Sequence, residues 1–302
     1  MAIFLGIDGG GTKTTCVVGD EVSVLGSGSG GSSNFVRAGE AVAKESLTAA
    51  IRQACTVASV NISQISYTCA GMAGVVSSET ADTVKQILAH IVPGELKIVG
   101  DNAIALEAAF GGGPGVITIA GTGSIAYGEN AAGENHRAGG WGFAVSDEGS
   151  GQWIGRTAVS GLLRALDEGR ETSLPDVVMR EWKLNSLSQI VVSANATPPP
   201  NFAALFPGVL AVAEAGDFLA REILTNAGNE LAQIGSIVAR RLFAGSANVP
   251  VAMVGGVFGN SALVRQSFYN HLRLEFPNVA LKAEVVEPVR GALQLARKAA
   301  QR

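Results

Sequence analysis

The sequence predicts an α/β protein of two domains, each a mixed sheet with flanking helices. Short apolar segments of strand length alternate with longer helical patterns. A unit of apolar strand, glycine-rich loop and second strand occurs twice, at 3–18 and at 116–128. Between the two copies lies the cluster Gly111-Gly112-Gly113-Pro114-Gly115, a strong chain-breaking signal. We expect one domain at 1–113, joined by a C-terminal helix at 289–302, another at 114–288, and the active site in the interdomain cleft.

Composition and charge narrow the class of protein. Of the 302 residues, 47% are hydrophobic and 16% are charged, which is typical of a compact globular chain. A net charge of −4 without any basic run disfavours nucleic acid as a partner. No basic region precedes the first apolar stretch and Asp8 interrupts it, so we expect no signal peptide. No apolar run approaches the ~18 residues that span a membrane, so we expect a cytoplasmic protein without a membrane partner.

Cysteine and histidine usage predicts no structural metal. Cys16, Cys55 and Cys69 are dispersed in apolar segments, and we expect them to be buried thiols in a reducing compartment. The 3 histidines have no metal-ligand spacing to one another or to a cysteine. A zinc site is therefore not expected.

The periodicity also predicts individual elements in each half. In the first half, strands are predicted at 3–7, 14–18, 22–27, 65–70 and 97–99, and helices at 40–58, 78–91 and 103–110. In the second half, strands are predicted at 116–120, 125–128, 249–254 and 279–286, and helices at 152–166, 202–213, 218–242, 261–274 and from 289. Residues 138–151 form a glycine-rich segment, and 195–201, which contains three prolines, is predicted to be a loop.

The first glycine loop, Asp8 to Lys13, is suited to a polyphosphate and its metal ion. Three consecutive glycines leave backbone N–H groups open to close approach by an anion, and Thr12 and Lys13 add two further donors. The following segment, 14–18, is β-branched, so the glycines belong to a β-hairpin and do not open a helix. This excludes a Walker loop and a Rossmann fingerprint. A purely structural hairpin turn is the alternative interpretation.

A second loop of the same kind, Gly121-Thr122-Gly123, follows the strand at 116–120. Two such hairpins could contact opposite ends of one phosphate chain. One such loop could easily occur by chance, but two loops in equivalent positions could not. The recurrence therefore favours a phosphate-binding role for each loop.

Five motifs, in this order along the whole chain, together resemble one family. They are DGGGTKT at 8–14, Asp101-Asn102 after a strand, GTGS at 121–124, GGWGFAVSDEGSG at 139–151 and MVGGV at 253–257. The chain is similar to N-acetylglucosamine kinases and bacterial glucosamine kinases, within the sugar kinase, actin and heat-shock chaperone ATPase superfamily. The resemblance implies a two-domain actin-like ATPase (ribonuclease H-like) fold. It also implies transfer of the γ-phosphoryl group of ATP to the 6-hydroxyl of N-acetylglucosamine or glucosamine.

ATP and Mg²⁺ are the cofactors that the resemblance implies. Asp8 would hold Mg²⁺, through water, because this ion gives up its water ligands reluctantly. The residues expected to contact ATP are Gly10, Gly11, Thr12, Lys13, Gly121, Thr122, Gly123, Ala203, Gly255 and Gly256. Lys13 could equally be a solvated hairpin lysine, and the two glycines after the strand at 249–254 could be an ordinary turn.

Asp101 is the predicted general base. It follows an apolar strand and precedes a helix, so its carboxylate is expected at the carboxyl end of the strand, where ligands bind in α/β proteins. A positioned carboxylate can accept the proton of a sugar hydroxyl. The alternative is that Asp101 caps the helix at 103–110.

The substrate is predicted to be a small aminosugar. The resemblance places it against Asn34, Asp101, Ser124, Ile125, Gly140, Trp141, Gly142 and Asp147. Trp141 could instead belong to the core. The segment Gly26–Ser33 has the composition of a flexible linker, but the resemblance makes it a substrate loop that presents Asn34.

Two other functions remain as alternatives. One is an ATPase that activates 2-hydroxyacyl-CoA dehydratases by electron transfer, whose iron–sulfur cluster needs closely placed cysteines; no cysteine follows the second phosphate loop. The other is a non-catalytic sugar sensor. A DNA-binding version of such a sensor is disfavoured because no helix-turn-helix motif precedes Ile3. The preferred aminosugar and the oligomeric state stay open, a homodimer included.

Overall fold

A computed structural model describes residues 2–74, 78–246 and 248–301 of the chain, without the side chains of residues 36 and 37. The chain divides into two compact units. Unit 1 is Met1–Gly113 together with Val286–Arg302, and unit 2 is Pro114–Val285.

The helices and strands alternate along the chain. The strands are β1 Ile3–Gly9, β2 Thr14–Gly19, β3 Val24–Gly30, β4 Ile65–Met72, β5 Glu95–Gly100, β6 Gly115–Ala120, β7 Ser124–Glu129, β8 Asn135–Gly139, β9 Pro250–Val254 and β10 Ala280–Leu281. The α-helices are α1 Phe35–Ala38, α2 Glu40–Ala58, α3 Ser78–Ala89, α4 Asp101–Phe110, α5 Gly151–Asp167, α6 Leu174–Trp182, α7 Leu187–Ala194, α8 Phe206–Glu214, α9 Phe218–Leu242, α10 Gly256–Asn260, α11 Ala262–Glu275 and α12 Pro288–Ala299. Short 3₁₀ turns occur at Ile62–Gln64 and Phe202–Leu205.

Unit 1 contains a mixed sheet of strand order β3-β2-β1-β4-β5. Strands β1, β2 and β3 are antiparallel neighbours, whereas β1, β4 and β5 run parallel. Asp8 lies opposite Gly71 of β4, and Gly71 lies opposite Val99 of β5. The carboxyl ends of the three parallel strands therefore share one edge of the sheet, and this edge carries Asp8 and Asp101.

Both faces of this sheet are covered by helices. Along β1, Leu5 and Ile7 pack into the cluster formed with α2 and α3, while Phe4 packs into the cluster formed with α4 and α12. This alternation is the period of two that an extended strand imposes on its side chains. The result is a three-layer arrangement in which the sheet is buried between two helical layers.

Strand β3 corrects the interpretation of the segment at 26–33. The prediction was a strand at 22–27 followed by a loop, but β3 continues through Gly30 and the loop begins only at Gly31. A Cβ atom added at Gly26, Gly28 or Gly30 would lie 2.2–2.5 Å from backbone atoms of α2. The alternating serines Ser27 and Ser29 face solvent. The glycines are therefore a strand face in direct contact with a helix backbone, and not a linker.

Unit 2 has a sheet of the same topology, in the order β10-β9-β6-β7-β8. Strands β6, β7 and β8 are antiparallel, and β9 is parallel to β6 and to β10. The predicted α/β class, with a mixed sheet and flanking helices in each half, is thus confirmed. The long helix α9 has twelve buried residues, most of which belong to the unit 2 core; it packs on β6, β7 and β8 and also on α5, α8 and α11.

The predicted strand at 279–286 is wrong in extent. Ala280 and Leu281 form a two-residue strand, paired with Pro250 and Val251 of β9, and Val286 forms an isolated bridge. The apolar residues Val279, Val285 and Val286 suggested a longer strand, but charged residues separate them and the chain leaves the edge of the sheet after two pairs. Helices α6 and α7 and strand β8 were not predicted. The sequence of α6 does carry a helical apolar pattern, since its Leu174, Val177 and Val178 are buried on one side, whereas β8 ends at the glycine-rich segment.

Among the described residues, no single helix has both the length and the apolar composition needed to cross a membrane. The segments Phe202–Glu214 and Phe218–Leu242 meet those two criteria only when taken together, across a bend of 119°.

Asp217, the N-cap of α9, offers a test of unit 2 stability. Its Oδ1 accepts the N–H of Ala220 at 2.9 Å, and its Oδ2 accepts the N–H of Ser173 at 2.7 Å and the hydroxyl of Thr172 at 2.8 Å. Burial opposes ionisation of this carboxyl, but the hydrogen bonds outweigh it, so its pKa is lowered. We expect Asp217→Ala to cost about 1–2 kcal/mol at pH 7, the usual value of an N-cap, in urea unfolding.

The pH dependence of that cost has a definite sign. Because the pKa of Asp217 is lower in the folded protein, its charge stabilises the fold above the ordinary carboxyl range near pH 4 and loses this effect as the pH falls through the folded value. The stability gap between the wild type and Asp217→Asn, which keeps the cap but not the charge, should shrink between pH 7 and pH 3. A gap that stays constant over this range would contradict the assignment.

Candidate active site

The first glycine loop forms the predicted hairpin turn. Gly9 at the end of β1 pairs with Thr14 at the start of β2, and Gly10 N–H donates to Lys13 O at 3.0 Å. The N–H of Gly10 is thus engaged within the turn. The tip of the turn consists of Gly11, which is partly buried, and of Thr12 and Lys13, which are exposed. These residues present their donors at the edge of the sheet where the parallel strands of unit 1 end.

Asp8 and Asp101 of unit 1 lie close enough for the charge of Asp101 to affect the pKa of Asp8. Burial and, after it, the charge of Asp101 raise the pKa of Asp8 to about 7, against a smaller lowering by Lys13. Burial likewise raises the pKa of Asp101, which the N–H of Asn102 partly offsets. Like charges near each other disfavour ionisation of both groups, and a nearby cation would relieve this effect. The structure therefore brings the predicted metal residue and the predicted base to the same place.

The capping alternative for Asp101 is not supported. Helix α4 begins at Asp101 itself, with Gly100 as its N-cap, and no side chain caps that end. Asp101 Oδ1 accepts the neighbouring N–H of Asn102, at 2.9 Å. A capping side chain would instead bond to the N–H two or three residues further on. The carboxylate keeps acceptor capacity that the helix does not use.

Asn34 follows the short loop that connects β3 to α1. Its amide lies 3.3 Å from the position of a Cβ at Gly74, directly after β4. Ser33, one residue earlier, is buried and its N–H donates to Gly10 O at 3.2 Å. Asn34 is thus attached through Ser33 to the first phosphate loop, at the same edge of the unit 1 sheet.

The second glycine loop also forms a hairpin turn, in unit 2, but it is one residue shorter than the first. Gly121 N–H donates to Gly123 O at 2.9 Å, two residues on, whereas Gly10 N–H donates to Lys13 O, three residues on. At the start of α5, Gly151 N–H donates to Gly121 O at 2.9 Å and Gln152 N–H to Thr122 O at 3.1 Å. The first N–H groups of a helix lack intrahelical partners, and here they hold the carbonyls of the loop. The orientation of the loop is therefore set by α5.

The residues predicted to contact the nucleotide in unit 2 gather around that loop. Strand β9 is parallel to β6, and Ile119 lies opposite Val254. Gly255 has φ +101°, and a Cβ there would lie 2.4 Å from Ala120 O. Ala203 contacts the position of a Cβ at Gly151 at 3.3 Å. Gly256, the first residue of α10, follows directly.

Asp147 is buried against the second loop. Its side chain is 4% exposed and its backbone has φ +67°. Oδ2 lies 2.9 Å from the position of a Cβ at Gly123, and Oδ1 accepts the N–H of Ser124 at 3.4 Å. A non-glycine residue held at positive φ marks a place where the surroundings enforce strain. Asp147 therefore connects the segment at 139–151 to the phosphate loop.

The remaining predicted sugar residues lie on the outer side of the same segment. Trp141 is 69% exposed, so its alternative role as a core residue is wrong. The Arg137 guanidinium lies over the Trp141 ring at 4.0 Å from its centre. Gly140 packs against the side chain of Ile125, 2.9 Å from the position of a Cβ. Gly142 has φ +98° and no heavy atom within 4 Å of such a Cβ.

Sequence reasoning missed the residues that hold these segments together. Ser33, Gly151 and Gln152 were not singled out, because their contacts are made with residues distant in the sequence and, for Gly151 and Gln152, by backbone groups. Thr14 was assigned only to a strand, although Thr14 and Ser124 begin the second strand of each hairpin. Thr14 directly follows the first glycine loop, as Ser124 directly follows the second. This shared position is the signal in the sequence that could have identified Thr14. Among the described residues, no group of three or more His, Cys, Asp or Glu side chains could hold a metal ion.

The repeated fold and the paired glycine loops define an actin-like ATPase, as predicted. The profile of the BadF/BadG/BcrA/BcrD ATPase family matches residues 5–296. The chain belongs to this family.

Individual relatives are sugar kinases. The chain is 29% identical over 302 residues to an N-acetylmuramic acid/N-acetylglucosamine kinase of Clostridium acetobutylicum, covering 98% of this chain and 99% of the relative. It is 30% identical over 227 residues to a glucosamine kinase of Vibrio cholerae, covering 74% and 76%. Among solved structures, a candidate N-acetylglucosamine kinase from Chromobacterium violaceum aligns with a TM-score of 0.75 at 27% identity, covering 98% and 99%. The resemblance to the N-acetylglucosamine kinase family is confirmed.

Proposed function

We propose that this protein is an ATP-dependent aminosugar kinase that phosphorylates the 6-hydroxyl of N-acetylglucosamine or glucosamine. The observation that carries the proposal is the arrangement of Asp101 beside Asp8 and the first glycine loop at one edge of the unit 1 sheet. A base and a phosphate-binding loop at one sheet edge are what phosphoryl transfer to an alcohol requires. The sequence relatives named as kinases of these sugars support the same substrate class.

Asp101 performs the proton transfer in this proposal. Its ionised carboxylate accepts the proton of the sugar hydroxyl while the hydroxyl oxygen bonds to the γ-phosphorus and the bond to the β-phosphate oxygen breaks, which releases ADP. Burial raises the pKa of Asp101 and so makes its carboxylate a stronger base than an exposed one. Positioning and charge neutralisation supply most of the remaining rate enhancement in such reactions.

The phosphates of ATP would be bound by the glycine loops. In unit 1, Gly11, Thr12 and Lys13 supply donors, and Gly10, whose N–H is used in the turn, contributes close approach of the backbone. In unit 2, Thr122 and Gly123 contact the phosphates. Gly121, whose N–H is used within its own turn, contributes close approach of the backbone. Ala203, Gly255 and Gly256 would contact the adenosine part of the nucleotide.

The residues present fit a bound Mg²⁺. Mg²⁺ usually takes one or two carboxylates together with water and substrate phosphates, and Asp8 offers one carboxylate beside the loop. Burial and the charge of Asp101 raise the pKa of Asp8 to about 7, and a bound cation would favour its ionised form. Asp8 would hold the ion through water, and the ion would neutralise charge on the phosphates.

Each unit carries residues that the family resemblance assigns to the sugar. Asn34 and Asp101 would bond its hydroxyls in unit 1. In unit 2, the loop glycines Gly140 and Gly142 leave backbone groups accessible, and exposed Trp141 supplies an apolar ring. Asp147 and Ser124 are buried, so they would act mainly by holding this segment, while Ile125 offers apolar contact.

The alternative of an electron-transferring activator is less well supported. The three cysteines are buried and free, and they lie on β2, α2 and β4 of unit 1. An iron–sulfur cluster needs closely placed, accessible thiolates.

An ADP-release assay with a panel of sugars tests the proposed function. The panel is glucosamine, N-acetylglucosamine, N-acetylmuramic acid, N-acetylmannosamine and glucose, each with ATP and Mg²⁺. We expect ADP release that depends on an aminosugar, and far less with glucose. A sample carrying Asp101→Asn, purified in parallel, controls for contaminating kinases. ADP release that no sugar stimulates, or purified protein containing iron, would contradict the proposal.

A further inference from the structure

Thr14 and Ser124 occupy equivalent positions in the two units. Each is the first residue of the second strand of a glycine hairpin, paired with Gly9 and with Ala120 respectively. Each is buried, with 0% and 3% of its surface exposed. Each donates a hydroxyl hydrogen bond to a backbone carbonyl far away in the sequence.

In unit 1 the acceptor belongs to the loop that presents Asn34. Thr14 Oγ1 donates to Gly31 O at 2.7 Å and is hydrogen-bonded to Ser33 Oγ at 2.8 Å. Because a hydroxyl has a single proton, Ser33 supplies the proton of the second bond. The N–H of Ser33 in turn donates to Gly10 O. The phosphate hairpin and the loop at 31–34 are thus joined by three hydrogen bonds.

In unit 2 the acceptor belongs to the segment that carries Asp147. Ser124 Oγ donates to Glu148 O at 2.7 Å, and Ser124 N–H donates to Asp147 Oδ1 at 3.4 Å. The same strand position, with the same hydroxyl chemistry, therefore joins a phosphate loop to a segment assigned to the sugar in both units.

We propose that Thr14 and Ser124 are positioning residues that couple occupancy of the sugar segments to the geometry of the phosphate loops. This inference rests on the proposed function, since it concerns the two substrates of that reaction. A sugar that orders the segment at 31–34 or 139–151 would order the adjoining loop through these bonds. Nucleotide binding would then cost less ordering, and each substrate would tighten the binding of the other.

In each unit, a buried threonine whose hydroxyl makes no hydrogen bond to the described residues provides a matched control. Thr68 of β4 and Thr118 of β6 are buried, and their Oγ1 atoms have no partner among the described residues. Replacement by Val removes the same hydroxyl at nearly the same volume. In Thr14→Val it also removes the connection, whereas Thr14→Ser retains it.

The test is the affinity for a non-hydrolysable ATP analogue, with Mg²⁺, measured by calorimetry with and without saturating N-acetylglucosamine. We expect the sugar to tighten analogue binding about fivefold or more in the wild type, within the usual range of coupling between sites. The factor should fall below about twofold in Thr14→Val and Ser124→Ala and persist in Thr14→Ser, Thr68→Val and Thr118→Val. Thermal unfolding verifies that each variant is folded.

The outcomes test the positioning role and the proposed kinase function separately. A wild type that binds both ligands without coupling, or a Thr14→Val variant that keeps the wild-type factor, overturns the positioning role alone. A wild type that binds neither ligand overturns the proposed function. If Thr14→Val does not fold, Ser33→Ala removes the neighbouring bond of the same network, and unchanged coupling in that variant also overturns the inference.

Discussion

Asp101→Asn should lower the turnover number by about two to four orders of magnitude, the scale of a lost general base. The amide is nearly the same size as the carboxylate but cannot accept the sugar proton. We expect the affinity for an ATP analogue to stay within about twofold, since Asp101 is not assigned to the phosphates. Steady-state ADP release and calorimetry would measure the two quantities.

The stability of this variant should not fall. Burial raises the pKa of Asp101, so at neutral pH its charge is held at a cost that Asn removes. The control is Asp82→Asn, which changes an exposed carboxylate of α3 in the same unit and should leave turnover unchanged. Near-normal turnover in Asp101→Asn, with the fold intact, would remove Asp101 from the role of base.

The magnesium dependence separates a base from a metal ligand. The charge of Asp101 contributes to the raised pKa of Asp8. In Asp101→Asn that pKa should fall, so Asp8 is more fully ionised near neutral pH and the Mg²⁺ concentration needed for half-maximal activity should not rise. An increase of tenfold or more would instead identify Asp101 as a ligand of the metal.

Gly28→Ala should destabilise the protein by about 3 kcal/mol, at the upper end of the usual cost of overpacking. The added Cβ would lie 2.2 Å from Ala50 O and 2.5 Å from Ala54 N. Both atoms belong to the backbone of α2, so no side-chain rotation can relieve the contact. Urea unfolding followed by circular dichroism measures the effect.

The sign of this effect is informative in itself. Where no clash occurs, replacing Gly by Ala stabilises a protein by about 0.4–1 kcal/mol, because the unfolded chain loses freedom. Ser27→Ala, on the exposed face of the same strand, is the matched control and should stay within about 0.5 kcal/mol of the wild type. A neutral or stabilising Gly28→Ala would show that β3 does not contact α2 as described.

Local chemistry made the two phosphate hairpins predictable. A β-branched segment directly after the first glycine loop predicts a hairpin, and the second loop repeats the order of strand, glycine loop and strand. A strand that precedes Asp101 places that residue at the carboxyl end of the strand. These inferences need only neighbouring residues. The close approach of Asp8 and Asp101 also follows once β1, β4 and β5 are recognised as parallel.

Features that depend on a partner distant in the sequence were predicted less well. The serine–glycine alternation of β3 resembled a linker, since nothing at 26–30 indicates the helix backbone that it contacts. Trp141 and Asp147 lie in one motif, yet the first is exposed and the second is buried. The bond from Thr14 to Gly31 spans 17 residues and leaves no local signal.

The discontinuous composition of unit 1 has a consequence for its synthesis. Helix α12 covers Phe4, Cys69 and Ile104 on one face of the first sheet, although the ribosome makes it only after the whole of unit 2. Unit 2, which is continuous in the chain, can complete its core first. During translation, the apolar residues of the first sheet that α12 later covers stay without this helix until more than half of the chain has been added, and an exposed apolar sheet face is a site at which unfinished chains can associate.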